Sequence, residues 1–270
     1  MTSLRHGERT QAVLLLQQRL NQRGADLYAD GLYGDATEDA VRAFQGEVGL
    51  VTDGIAGPKT LSALGGGNCA HLLQQRTLVV AAKRLGLDLA TVMAVNEVES
   101  QGEGFLANGK PSILFERHVM HRRLGMARRP DEEVTALLAT HPNLVNPRPG
   151  GYAGGSAEHQ RLANARLIDD DCALASTSWG AFQVMGYHAE RLGYASVQDF
   201  TQRMALNENE QFEAFVRFIE ADPALHKALK ARKWAVFAKG YNGPAYQRNL
   251  YDTKLERAYE RHAAGCLVPA

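Results

Sequence analysis

The sequence predicts a mainly α-helical protein in two parts, a small three-helix module and a larger helical domain. Apolar residues recur at three- and four-residue steps through most of the chain, the period of a helix with one buried face. A turn-and-helix motif occurs twice, in near copy, within residues 30–63. Gly65-Gly66-Gly67 then interrupts the pattern, a run that breaks a helix and reads as a flexible joint. This places the first module at 1–64, a glycine-rich linker at 65–69 and the second domain at 70–270.

The duplicated motif is Asp30-Gly31-Leu32-Tyr33-Gly34 with Thr37 and Ala40, then Asp53-Gly54-Ile55-Ala56-Gly57 with Thr60 and Ala63. Asp-Gly makes a turn, the second glycine permits a tight bend, and Pro58 sits where a missing N–H costs little. Val13, Leu14, Leu16 and Leu20 form one stripe; Ala40, Val41 and Phe44 form another. The module reads as helices over 8–23, 36–48 and 58–64. It gathers no convergent catalytic groups, so binding is its expected role.

Beyond residue 70 the periodicity predicts helices at 73–85, 88–101, 115–124, 131–140, 156–175, 186–193, 196–220, 224–231, 233–241 and 244–261. Residues 142–155 are rich in Pro, Gly and Asn and read as a loop. No strand is predicted, beyond room for a small hairpin around 179–186.

The helix that follows Asp88, a good N-cap, carries Leu89, Val92, Val95, Asn96 and Glu99 at helical steps. Glu99 therefore falls on the apolar face, and Glu97, about 200° around the axis, should face solvent. Burial raises a carboxyl pKa, and the negative helix end adds to it. An acid protonated near neutral pH suits general-acid work at a glycosidic oxygen. Two further segments suit a sugar cleft. In Ser178-Trp179-Gly180-Ala181-Phe182-Gln183-Val184-Met185, Trp179 and Phe182 offer stacking faces and Gln183 a donor and an acceptor. In Phe237-Ala238-Lys239-Gly240-Tyr241-Asn242-Gly243-Pro244, the Tyr241 phenol is placed to bond a carboxylate across the cleft.

Residues 3–65 resemble the peptidoglycan-binding domain of cell-wall hydrolases, through Leu16-Gln17-x-Arg19-Leu20, the two Asp-Gly motifs and Ala40-Val41-x-x-Phe44-Gln45. That resemblance implies wall attachment, with Asp30, Tyr33 and Gln45 as contact candidates. About residues 80–262 resemble the goose-type lysozyme and lytic transglycosylase superfamily, and more closely the N-acetylmuramidase domains of modular phage endolysins. The motifs are Val98-Glu99-Ser100-x-Gly102-x-Gly104-Phe105, Ile113-Leu114-Phe115-Glu116-Arg117-His118 and Ser178-Trp179-Gly180-x-Phe182-Gln183. The resemblance implies a lysozyme-like fold and cleavage of the β-1,4 bond between N-acetylmuramic acid and N-acetylglucosamine. It implies Glu99 as the acid, Ser178, Trp179, Phe182, Gln183 and Tyr241 around the substrate, and no cofactor. The superfamily's Gly-Leu-Met-Gln is here Gly180-Ala181-Phe182-Gln183.

Glu116 is a candidate base for water; otherwise the substrate itself assists. Asp169-Asp170-Asp171 reads as a loop end and helix N-cap. His118 and His121 beside Glu116 lack a metalloprotease pattern, and no metal is expected. A transglycosylase giving 1,6-anhydro products, a non-catalytic wall-binding or virion protein, and a zinc amidase are the rival readings; the last lacks ligands.

Formal net charge is +0, which predicts neither nucleic-acid nor membrane-surface binding. Cys69, Cys172 and Cys266 have no metal-type spacing and read as reduced thiols. No apolar leader or transmembrane stretch is legible. The expectation is a monomer made in the bacterial cytoplasm that reaches the wall through a holin-type partner, as in phage lysis.

Overall fold

A computed structural model describes residues 3–100, 103–244 and 246–265. Gln101, Gly102 and Cys266 lie outside the described residues. Two compact units form, one from residues 1–95 and 253–270, the other from 96–252.

The first unit opens with α1 (Gln11–Gln22), α2 (Asp35–Glu47) and α3 (Pro58–Leu64). Thr10 caps α1, its Oγ1 accepting the Val13 N–H at 3.2 Å. Val13, Leu16, Leu20, Tyr33, Val41, Phe44, Leu50 and Leu64 bury into one core. The sequence repeat is also a repeat of hydrogen bonds. Gln17 Nε2 donates to Asp30, to the Leu32 carbonyl and to Thr37, and its Oε1 accepts from Gly31 N–H. Gln45 does the same for Asp53, Ile55, Thr60 and Gly54. Each glutamine amide thus braces one Asp-Gly turn from inside, alongside the turn aspartate, which accepts the N–H two residues on.

The glycine run makes local contacts with the end of α3. Gly67 N–H bonds the Ser62 carbonyl at 2.9 Å, and a Cβ on Gly67 would meet Ser62 Oγ at 2.4 Å. Beyond the run, Leu72 joins the module's core and Gln75 Oε1 accepts from Thr52 N–H. Then come α4 (Gln75–Leu85) and α5 (Leu89–Glu99). Gly86 ends α4 in the left-handed conformation, and Asp88 caps α5 through Thr91 N–H at 2.7 Å. Thr91 to Val95 are all buried, so α5 is enclosed on every side rather than amphipathic. Glu97 is half-buried instead of facing open solvent.

The second unit contains a small antiparallel sheet, β1 (Ile113–Phe115), β2 (Thr177–Trp179) and β3 (Val184–Met185), in that order. Leu114 pairs with Ser178, and Ser178 with Met185. Only the β2–β3 hairpin was expected; β1 is too short to show alternation. Around the sheet lie α6 (Arg117–Met126), α7 (Asp131–Thr140), α8 (Ala157–Ile168), α9 (Asp170–Ala175), α10 (Val197–Met204), α11 (Glu208–Glu220), α12 (Pro223–Lys230) and α13 (Trp234–Asn242). The final helix, α14 (Tyr251–Gly265), leads back into the first unit.

Two expected long helices are each split by a capping residue. Asp169 caps α9 through Cys172 N–H, and Asn207 caps α11 through Glu210 N–H. The Pro/Gly loop before α8 is pinned from both sides. Arg117 donates to the carbonyls of Pro142, Arg148 and Pro149. Glu158, fully buried, accepts from the N–H groups of Phe115, Ala153 and Gly154 and pairs with Arg161 at 2.6 Å. Burial pushes the Glu158 carboxyl up, but those donors and the guanidinium outweigh it and hold it below the usual range.

A candidate active site around Glu99

Glu99 is the last residue of α5 and only 2% exposed. It lines a pocket of about 290 Å³ with Phe182, Gln183, His188, Phe218 and Asn242, among others. Burial pushes its pKa up to about 7, against a smaller lowering by a hydrogen bond from Asn242. Asn242 Nδ2 donates to Glu99 Oε1 at 2.9 Å. The acid is therefore held in one orientation, and burial favours its protonated form, the state a proton donor needs.

The facing wall is the β2–β3 hairpin. Gly180 takes φ +72°, and a Cβ there would fall 2.5 Å from the Gln211 side chain. Gln211, buried on α11, accepts from Ala181 N–H and donates to the Gly104 carbonyl. One side chain thus joins the segment after Glu99 to the hairpin. Gln183 lies at φ +50°, a conformation costly for a residue with a Cβ. It is held there by Ser178 Oγ, which donates to Gln183 Oε1 at 2.7 Å, and by its own Nε2 donating to the Gly180 carbonyl at 2.8 Å.

The residues singled out in the sequence separate into three groups. Glu99, Gln183, Phe182 and Tyr241 line the pocket. Ser178 orients Gln183 from behind. Trp179 does not line the pocket; it is 6% exposed, with Nε1 donating to the Leu174 carbonyl. Tyr241 bonds the Phe182 carbonyl at 2.9 Å instead of a carboxylate; its neighbour Asn242 makes that bond.

Glu116 does not reach the pocket lining. Tyr152 Oη donates to its two oxygens at 3.1 and 2.9 Å, and His118 Nδ1 lies 3.1 Å away. Among the described residues Glu99 is the only carboxylate of the pocket. Sequence reasoning missed Tyr187, His188, Phe218 and the role of Asn242. Tyr241, Phe218, His188 and Tyr187 form a continuous run of rings, with centroids 5.6, 5.1 and 4.3 Å apart. Burial, and then the charge of Arg191, push the His188 imidazole down to about 4, so it stands neutral beside the acid.

Of the contact candidates of the first module, Tyr33 and Gln45 are buried and Asp30 is exposed. Tyr33 is fully buried with its hydroxyl on the Gly54 carbonyl at 2.8 Å. Gln45 is 2% exposed and spends its amide on the second turn. Asp30 accepts from Leu32 N–H and Gln17 within its own turn.

A buried acid on a helix end, opposite a glycine-glutamine hairpin and beside aromatic rings, is the arrangement of a lysozyme-type glycoside hydrolase. Comparison with known proteins agrees. Residues 88–263 match the N-acetylmuramidase family model, and residues 9–64 a putative peptidoglycan binding domain. The chain belongs to the N-acetylmuramidase family and carries a peptidoglycan-binding module ahead of the enzyme. Its fold is similar to the crystal structure of Burkholderia AP3 phage endolysin, with a TM-score of 0.92 and 52% identity over 98% of this chain and 100% of that one. The first module is also similar to part of the zinc D-Ala-D-Ala carboxypeptidase of Streptomyces albus G, 43% identical over 65 residues. That match spans 23% of this chain and 26% of the carboxypeptidase. The enzyme is a peptidoglycan hydrolase, and the findings favour hydrolysis over the transglycosylase reading.

Proposed function

We propose that Glu99 is the general acid of an endolysin that cuts the β-1,4 bond between N-acetylmuramic acid and N-acetylglucosamine. Glu99 gives its proton to the glycosidic oxygen as the bond to the anomeric carbon breaks. The single observation that carries this is a carboxyl 2% exposed, with its pKa raised to about 7, at an aromatic-lined pocket.

With no second carboxylate lining the pocket among the described residues, the substrate's own acetamido oxygen is the group proposed to close on the anomeric carbon. Water then opens that ring and returns a proton to Glu99. Substrate assistance of this kind removes the need for a paired base. Tyr187, 38% exposed, is proposed to meet the sugar, with Gln183 bonding its polar groups; Phe182, 3% exposed and packed on Phe212 and Phe215, backs the wall instead of offering the stacking face expected of it. The proposed physiological role is lysis of a bacterial host from within, by a monomer released to the wall through a holin-type partner. The proposed functional division remains 1–64 for wall binding and 70–270 for cleavage.

Mass spectrometry of digested peptidoglycan tests the chemistry. Reducing N-acetylmuramic acid ends are expected from the native chain and none from Glu99→Gln. Anhydro ends would show a transglycosylase, and cleavage retained by Glu99→Gln would remove Glu99 from the role.

A further inference from the structure

The first unit carries a second concave site, of about 420 Å³, outside the pocket of Glu99. Its floor is the second Asp-Gly turn, Asp53-Gly54-Ile55. One rim carries Arg5 and His6; another is formed by Arg261, His262 and Ala264 of α14. Arg42 lies against the floor. Its Nη1 donates to the Thr52 carbonyl at 2.8 Å, and its Nη2 to Glu38 at 2.7 Å. Gly54 makes that approach possible, because a Cβ there would fall 2.8 Å from Arg42 Nε. At the first turn a Cβ on Gly31 would instead meet the Thr10 carbonyl at 3.1 Å. Of two turns built alike, one faces a cleft with a fixed guanidinium.

Among the described residues the lining has three arginines, two histidines and three carboxylates, and no Phe, Tyr or Trp. Sugars are commonly held by flat aromatic faces, as the pocket of Glu99 offers; this cleft offers none. It offers both signs of charge, on partly solvated groups apart from the buried His262. His6 and Asp35 pair at 2.9 Å with side chains 53% and 97% exposed, so a ligand can exchange for that pair at little cost. Arginines match carboxylates, and Asp or Glu matches an ammonium. The volume is that of a small-ligand site.

We propose that this cleft takes the peptide arm of peptidoglycan, a short peptide with free carboxylates and a free amine, and that α14 completes it through Arg261. The inference rests on peptidoglycan being the ligand of the module. Wall recognition and glycan cleavage would then read different chemical parts of one polymer. The C-terminal helix of the matched enzyme domain would belong to the binding site as well.

The test is co-sedimentation of the full chain, silenced by Glu99→Gln, with purified sacculi. Soluble stem peptide and peptide-free glycan fragments serve as competitors. Stem peptide is expected to release the chain, and Arg5→Glu and Arg261→Glu each to weaken sedimentation about 10-fold, more at low salt than at high. Both arginines are exposed, so melting temperatures should hold. If sacculi carry the chain down and stem peptide does not release it, the peptide reading is overturned while wall binding stands. If nothing sediments, the wall-binding reading itself fails. If Arg5→Glu weakens binding and Arg261→Glu does not, the share of α14 is withdrawn.

Discussion

Around Glu99 the walls are Phe182, Tyr187, Phe218 and Tyr241, with a single carboxylic acid among the described residues. On the first module the cleft is walled by arginines, histidines and carboxylates. The difference fits the two roles proposed for them. A proton donor works when its charged form is disfavoured, so its surroundings must be dry and poor in compensating charge. A reversible binding site gains from charges that stay partly solvated, because exchange is then cheap and salt can tune it. Placing arginines around Glu99 would stabilise the carboxylate and remove its proton.

The largest expected effect is at that acid. Glu99→Gln should lower turnover at least ~10²-fold. The same variant should be more heat-stable above neutral pH. The Glu99 pKa is raised from 4.5 to about 7 on folding, so the native state holds a proton that the unfolded chain loses. The stability this group contributes is fully present below about 4.5 and is lost as pH rises through about 7, where the charged carboxylate must stay buried. A Glu99→Gln variant no more stable than the native chain at alkaline pH would mean that the pocket is wetter than its lining implies.

Gly180→Ala comes next. The added Cβ meets Gln211, and the φ of +72° is strained for alanine. A loss of ~1–3 kcal/mol is expected, with reduced turnover as the hairpin shifts, measurable by melting and by a turbidity assay.

The shared design of the two Asp-Gly turns yields a paired test. Gln17→Ala and Gln45→Ala should each cost ~1–3 kcal/mol, by leaving buried turn donors and acceptors unpaired. Only Gln45→Ala should also weaken sedimentation with sacculi, since only the second turn floors the cleft. Equal binding losses would mean that the repeat acts as one unit and the distinction between the turns is false.

Smaller effects are expected at the partners of the acid. Asn242→Ala removes the bond that lowers the Glu99 pKa, so the alkaline limb of the pH–rate profile should move upward. An unmoved limb would show that Asn242 does not control protonation. Glu116→Gln should change turnover least, because the side chain bonds Tyr152 outside the pocket lining. A loss comparable to that of Glu99→Gln would restore Glu116 as a second catalytic carboxylate.

Much was legible in the sequence because it is written in local periods. The three helices of the first module, its duplicated turns, the helical character of the second unit and the position of Glu99 on a helix end are all short-range patterns. The misses share one cause, which is that they concern partners far apart in the chain. Asn242 reaches Glu99 across 143 positions, and Glu208, which accepts the Gly104 N–H, lies 104 away. Strand β1 is recognisable only once β2 lies beside it. Trp179, Tyr33 and Gln45 carry the residue types of binding sites, but burial assigns them to the scaffold. By itself the sequence determined most of the helices, the repeat and the place of Glu99 on a helix end, since propensity, turn chemistry and amphipathic spacing act over a few residues. Only the tertiary structure decided which side chains share a cavity and which are sealed from water, because desolvation and hydrogen-bond pairing depend on what the rest of the chain packs against each group.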